Sequence, residues 1–83
     1  MAKVEIYSTP NCRYCTSAKR VFDSMKVEYV EHNVQVDAVS REVLKASGAR
    51  TVPQITINGM WIGGYTELAE KKLSGELKKL LEE

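Results

Sequence analysis

Both cysteines of this 83-residue chain fall in one short stretch, Cys12-Arg13-Tyr14-Cys15. A disulfide between them closes a loop of only about four residues and removes little entropy from the unfolded chain, so it cannot staple a fold together. Stability must come from a packed apolar core. At 43% hydrophobic residues the chain is rich and long enough for one small domain, residues 1–83, and too short for two.

The periodicity says what kind of core. Val4-Glu5-Ile6-Tyr7 alternates apolar and polar residues as a strand does, and Ser8-Thr9-Pro10-Asn11 follows with turn formers. From Tyr14 to Met25, the residues Ala18, Val21, Phe22 and Met25 recur at helical spacing and leave Lys19, Arg20 and Asp23 on another face. Val27 to Val34 reads as a second strand, and Asp37 as the N-cap of a helix that carries Val43 and Leu44 and stops at Gly48. After Pro53, Ile55 and Ile57 alternate with polar residues, Asn58-Gly59 signals a type I′ hairpin, and Met60-Trp61-Ile62 returns. Gly63-Gly64 opens a last helical region, with Thr66 as its cap and a break at Ser74-Gly75. The predicted order is β-α-β-α-β-β-α. A strand, helix and strand of these lengths form a parallel pair and the hairpin an antiparallel one, giving a mixed four-stranded sheet with helices on both faces.

In that frame the cysteine pair sits where a strand hands over to a helix. A free thiol titrates near ~8.5, and the unpaired amides and dipole of a helix N-terminus favour its anion. Cys12, at the mouth of the helix, is the expected nucleophile; Cys15, one turn in on the same side, is the expected resolving thiol. Zinc binding needs about four ligands, whereas two cysteines and one histidine, His32, are present. Two inert buried cysteines remain the alternative. Twelve basic residues against eleven acidic give a net charge of +1, which offers no bulk attraction to nucleic acid or to an anionic membrane. No apolar run approaches the ~20 residues of a membrane span, and Met1-Ala2-Lys3-Val4 lacks the pattern of a secretory signal, so a cytoplasmic location is expected.

Taken together, Cys12-Arg13-Tyr14-Cys15, Thr51-Val52-Pro53-Gln54 and Gly63-Gly64-Tyr65-Thr66-Glu67 resemble, in order and spacing, a glutaredoxin of the small dithiol class. The resemblance implies a thioredoxin-like fold, a cis peptide between Val52 and Pro53, and glutathione-linked disulfide exchange by a monomer. Glutathione is then a co-substrate, with no tightly bound cofactor or metal. The partners implied are glutathionylated or disulfide-containing proteins and, indirectly, glutathione reductase. Contacts to glutathione are implied for Tyr14, Thr51, Val52, Pro53, Gln54, Gly64, Tyr65 and Thr66. The Val52 backbone would pair with its cysteinyl unit, and Thr66 would receive its γ-glutamyl carboxylate at a helix N-terminus.

The chain departs from the family pattern in three places. Arg13 stands where proline is commoner, so the helix start loses a pre-set φ while Cys12 gains a neighbouring cation that tunes the thiolate. Thr9 replaces a lysine found in many relatives, and Tyr65 and Glu67 replace a small residue and an aspartate. Two other functions are alternatives: a glutathione-ligated [2Fe-2S] carrier, a role of some relatives whose motif lacks the proline, and a thioredoxin-reductase-linked electron donor to ribonucleotide reductase, similar in size but against which Gly63, Gly64 and Thr66 count.

Overall fold

Eight elements follow one another in the structure, a computed structural model that describes residues 2–82. They are β1 (Val4–Ser8), α1 (Arg13–Ser24), β2 (Val30–Asn33), α2 (Ala38–Ala46), β3 (Gln54–Ile57), β4 (Met60–Gly63), α3 (Tyr65–Ser74) and α4 (Glu76–Glu82). The strands lie in the order β2-β1-β3-β4. β1 pairs parallel with β2 and antiparallel with β3, and β3 pairs antiparallel with β4, so the sheet is mixed as expected. Asn58 and Gly59 both take positive φ, 53° and 81°, as a type I′ turn requires. The last helical region does break at Gly75, where a φ of 85° ends α3 and α4 begins.

Strand alternation sorts the sheet into two faces. Val4 and Ile6 of β1, Ile55 and Ile57 of β3 and Ile62 of β4 form a core with Ala18 and Phe22 of α1, Leu68 of α3 and Leu77 of α4. Tyr7 points the other way and packs with Val34 and with Leu44 of α2. On that face Tyr7 stacks with His32 of β2 at 4.9 Å and with Trp61 of β4 at 5.3 Å. Glu5 accepts hydrogen bonds from His32 Nε2 at 3.0 Å and from the buried Thr56 hydroxyl at 3.3 Å. His32 is therefore a half-buried strand residue held by a carboxylate and a ring. Burial of Tyr7 raises its pKa and keeps the phenol protonated.

Three local expectations need correction. The second strand is shorter than Val27 to Val34, because α1 ends in a Schellman turn that uses the first of those residues. Lys26 takes a φ of 58°, its amide donates to the Asp23 carbonyl at 3.1 Å, and the Val27 amide reaches the Phe22 carbonyl at 2.9 Å. The first strand runs one residue further, through Ser8, whose hydroxyl donates to Glu31 at 2.6 Å. Thr66 does not cap the last helical region: the cap is Gly64, whose amide is taken by the Glu67 carboxylate at 3.0 Å. Among the described residues no helix is long and apolar enough to cross a membrane.

Candidate functional site

Strand register alone brings three separated segments to one end of the sheet. β1 ends at Ser8 and leads to Cys12. Its residue Tyr7 pairs with Gln54, the first residue of the antiparallel β3, so residues 51–53 arrive beside the cysteines. β4 runs back along β3 until Gly63 faces Ile55, which delivers Gly64 and the start of α3 to the same place. Two helix N-termini, those of α1 and α3, thus meet at one end of the sheet, and each carries positive dipole charge.

Cys12 is the N-cap of α1, with extended φ and ψ of −109° and 111°. Its sulfur accepts the amide of Cys15 at 3.1 Å, the bond that an N-cap oxygen usually makes to the third helical amide. The amides of Arg13 and Tyr14 precede the first helical bond, from Thr16 to the Cys12 carbonyl at 3.2 Å, and have no partner within the helix. Cys12 and Cys15 are joined as a disulfide, with Cα atoms 5.1 Å apart. Cys12 is half-buried and Cys15 is 1% exposed, so one sulfur faces outward and the other inward. Arg13 occupies the first helical position with its side chain in solvent.

Across from the sulfurs, Val52-Pro53 is cis, as the family resemblance implied. Cys12 Sγ lies 3.7 Å from the Val52 carbonyl; a disulfide sulfur has no proton, and only the reduced thiol can donate there. Gln54 turns its side-chain amide back to the Thr51 carbonyl at 3.1 Å, closing the loop on itself. The glycines are needed for space. Gly63 has a φ of 118°, and a Cβ built there falls 2.8 Å from Glu67 Oε1; one on Gly64 falls 3.3 Å from the Pro53 carbonyl oxygen. Tyr65 is half-buried, and its ring stacks on that of Tyr14 at 5.8 Å. Thr66 is exposed in the first turn of α3, beside amides that lack helical partners.

Tyr14, Thr51, Val52, Pro53, Gln54, Gly64, Tyr65 and Thr66 line a single groove of about 600 Å³, together with Glu67, Ala69, Glu70 and Leu73. Sequence motifs do not reach the last three of these. The signal that finds them is helical spacing on α3, where Ala69 and Leu73 stand at i+4 and i+8 from Tyr65 and Glu70 at i+4 from Thr66. Thr9 lies outside the groove, in a shallow recess with Asn11 and Arg41. The guanidinium of Arg41 is bound to the carbonyls of Val34 at 3.0 Å and Gln35 at 2.7 Å.

A model of the glutaredoxin family matches residues 4–62 of this chain. The chain belongs to the glutaredoxin family. Glutaredoxin 3 of Escherichia coli is 42% identical over 82 residues, an alignment covering 98% of this chain and 99% of the relative. A glutaredoxin of Neisseria meningitidis is 38% identical, with 98% of each chain covered. Among solved structures, a buckwheat glutaredoxin–glutathione complex superposes with a TM-score of 0.86 at 28% identity, covering 96% of this chain and 76% of that one. The Brucella melitensis glutaredoxin gives 0.84 at 34% identity, over 98% and 89%. The fold is thioredoxin-like, and with the Cys12–Cys15 pair this glutaredoxin is a thiol–disulfide oxidoreductase.

Proposed function

We propose that this glutaredoxin is glutathione-dependent, with Cys12 as nucleophile and Cys15 as resolving thiol. The observation that carries the reading is the position of the Cys12 sulfur. It caps a helix N-terminus through a 3.1 Å bond and lies 3.7 Å from the Val52 carbonyl, on the loop that would hold an extended peptide. Glutathione bound along that loop would pair with the Val52 backbone and place its γ-glutamyl carboxylate at the start of α3, near Thr66, where helix amides favour an anion. Tyr14, Thr51, Pro53, Gln54, Gly64 and Tyr65 would flank it. The buckwheat relative was solved as a complex with glutathione, which supports the glutathione-dependent reading.

In the reaction the Cys12 thiolate attacks the glutathione sulfur of a mixed disulfide. The old S–S bond breaks, and the released thiolate takes a proton. A free glutathione then attacks the glutathione sulfur held on Cys12 and leaves with it as glutathione disulfide, so one free glutathione is consumed and the substrate's mixed disulfide has been exchanged for glutathione disulfide. With a protein disulfide, Cys15 attacks the Cys12 mixed disulfide, and the resulting Cys12–Cys15 bond is reduced by glutathione. A reducing compartment supplies this chemistry, which is the basis for a cytoplasmic location.

Coupled turnover tests the division of roles, with NADPH, glutathione and glutathione reductase as the source of electrons. Cys15→Ser retains turnover of the cysteine–glutathione mixed disulfide and loses reduction of insulin disulfides. Loss of both activities in that variant, or turnover with thioredoxin reductase but not with glutathione, overturns the reading.

A further inference from the structure

The groove is longer than glutathione needs. Its inner part is lined by the Val52-Pro53 loop and the start of α3, where an extended tripeptide of about 10 Å would lie. Its outer half continues along α3 from Tyr65 past Ala69 to Leu73, about 12 Å further at helical rise. This half is apolar and open. Leu73 is 89% exposed on the helix whose Leu68 is fully buried, and Tyr14, 61% exposed, stacks on Tyr65 to extend the strip toward Cys12. A leucine so exposed adds nothing to the core, and the groove it lines also includes Val52, whose carbonyl lies 3.7 Å from the Cys12 sulfur. The lining is also one-signed: among the described residues its charged members are Glu67 and Glu70, without lysine or arginine. Glu67 is held by the Gly64 amide, whereas Glu70 is exposed.

We propose that Ala69, Glu70 and Leu73 form a docking surface for protein-disulfide substrates. An extended substrate segment linked through its cysteine to Cys12 would lay an aliphatic or aromatic side chain on Leu73 and Ala69 and a neighbouring lysine or arginine beside Glu70. The inference rests on Cys12 being the nucleophile. During this contact the Cys12–substrate disulfide forms as the substrate disulfide breaks, and the freed substrate thiolate takes a proton. Attack by Cys15 on Cys12 then releases the second substrate thiol and leaves the Cys12–Cys15 disulfide.

Two synthetic peptides test this, each with one intramolecular disulfide and differing only beside one cysteine, where the first carries leucine and lysine and the second serine and glutamate. With dithiothreitol as reductant, the protein turns over the leucine-lysine peptide with a kcat/KM about tenfold higher. Leu73→Ser and Glu70→Lys each bring the ratio to within about twofold, and neither variant changes turnover of the cysteine–glutathione mixed disulfide. Equal rates for the two peptides with the unmodified protein overturn the docking surface. So does a dimer in sedimentation that Leu73→Ser dissociates, which makes a second copy the occupant. A protein that keeps the peptide preference but fails on the glutathione mixed disulfide supports the surface and refutes the glutathione-dependent reading, so the two failures are distinct.

Discussion

At the scale of single residues the chemistry concentrates on Cys12, which is an N-cap by geometry and the nucleophile we propose. Its sulfur replaces the oxygen of a usual cap and accepts the Cys15 amide at 3.1 Å. The hydrogen bond and the dipole both favour its anion once the disulfide is opened. Arg13 adds a cation next to it but in solvent, where screening keeps the effect small. Arg13→Ala should therefore raise the Cys12 pKa by less than about one unit, measured by thiol alkylation across a pH series; an unchanged or lower value rules out the electrostatic role. The placement of the pair at a helix start was legible because a C-x-x-C beside a strand–helix junction is local in sequence. The cap on α3 was not. Propensity favours Thr66 over glycine, yet Gly64 takes the position because Glu67 reaches back to its amide and the neighbouring Gly63 alone accommodates the φ of 118°.

Individual elements show where local pattern and tertiary context part. The hairpin was legible from Asn58-Gly59, since both residues must adopt positive φ and both do so readily. α1 was legible from its apolar stripe, of which Ala18 and Phe22 became core and Val21 and Met25 its margin. The start of β2 departs from the local pattern because Val27 and Tyr29 have strand-like side chains but pack against the core just after a helix end. Their apolar character serves the Schellman turn and its packing, a use that composition does not distinguish from a strand. That turn carries a testable cost: Lys26, not glycine, sits at a φ of 58°. Lys26→Gly should stabilise the protein by about 0.5–1 kcal/mol, the relief of left-handed strain being partly offset by the freer unfolded chain. Urea unfolding measures it, and a variant less stable than the parent contradicts the account.

For the molecule as a whole, what the sequence could not display is the pairing of distant segments. The order β2-β1-β3-β4 and the stack of His32, Tyr7 and Trp61 depend on residues far apart in the chain, so no local signal announces them. The groove beyond Thr66 escaped for a related reason, since its identity comes from α3 lying beside the Val52-Pro53 loop. Long-range contacts also set the response to acid. Glu5 is held below the usual carboxylate range chiefly by the His32 hydrogen bond, Glu31 by Ser8 and then Lys19, and Asp37 by Ser40. Because their folded pKa values are depressed, these groups contribute stability that is complete above the unfolded carboxylate pKa and lost as pH falls through the folded values. Unfolding midpoints should hold from about pH 7 to 5 and decline below about 4.5, with a shallower decline in Glu31→Gln; an identical slope in that variant rejects the assignment. All of this places one sulfur at one helix mouth, and the most direct test is alkylation of the fully reduced protein with iodoacetamide across a pH series, with the modified residue mapped by mass spectrometry. The account predicts modification at Cys12 alone, with a pKa at least about one unit below the ~8.5 of a free thiol. A Cys12 titrating like free cysteine, or Cys15 reacting as fast, would contradict it.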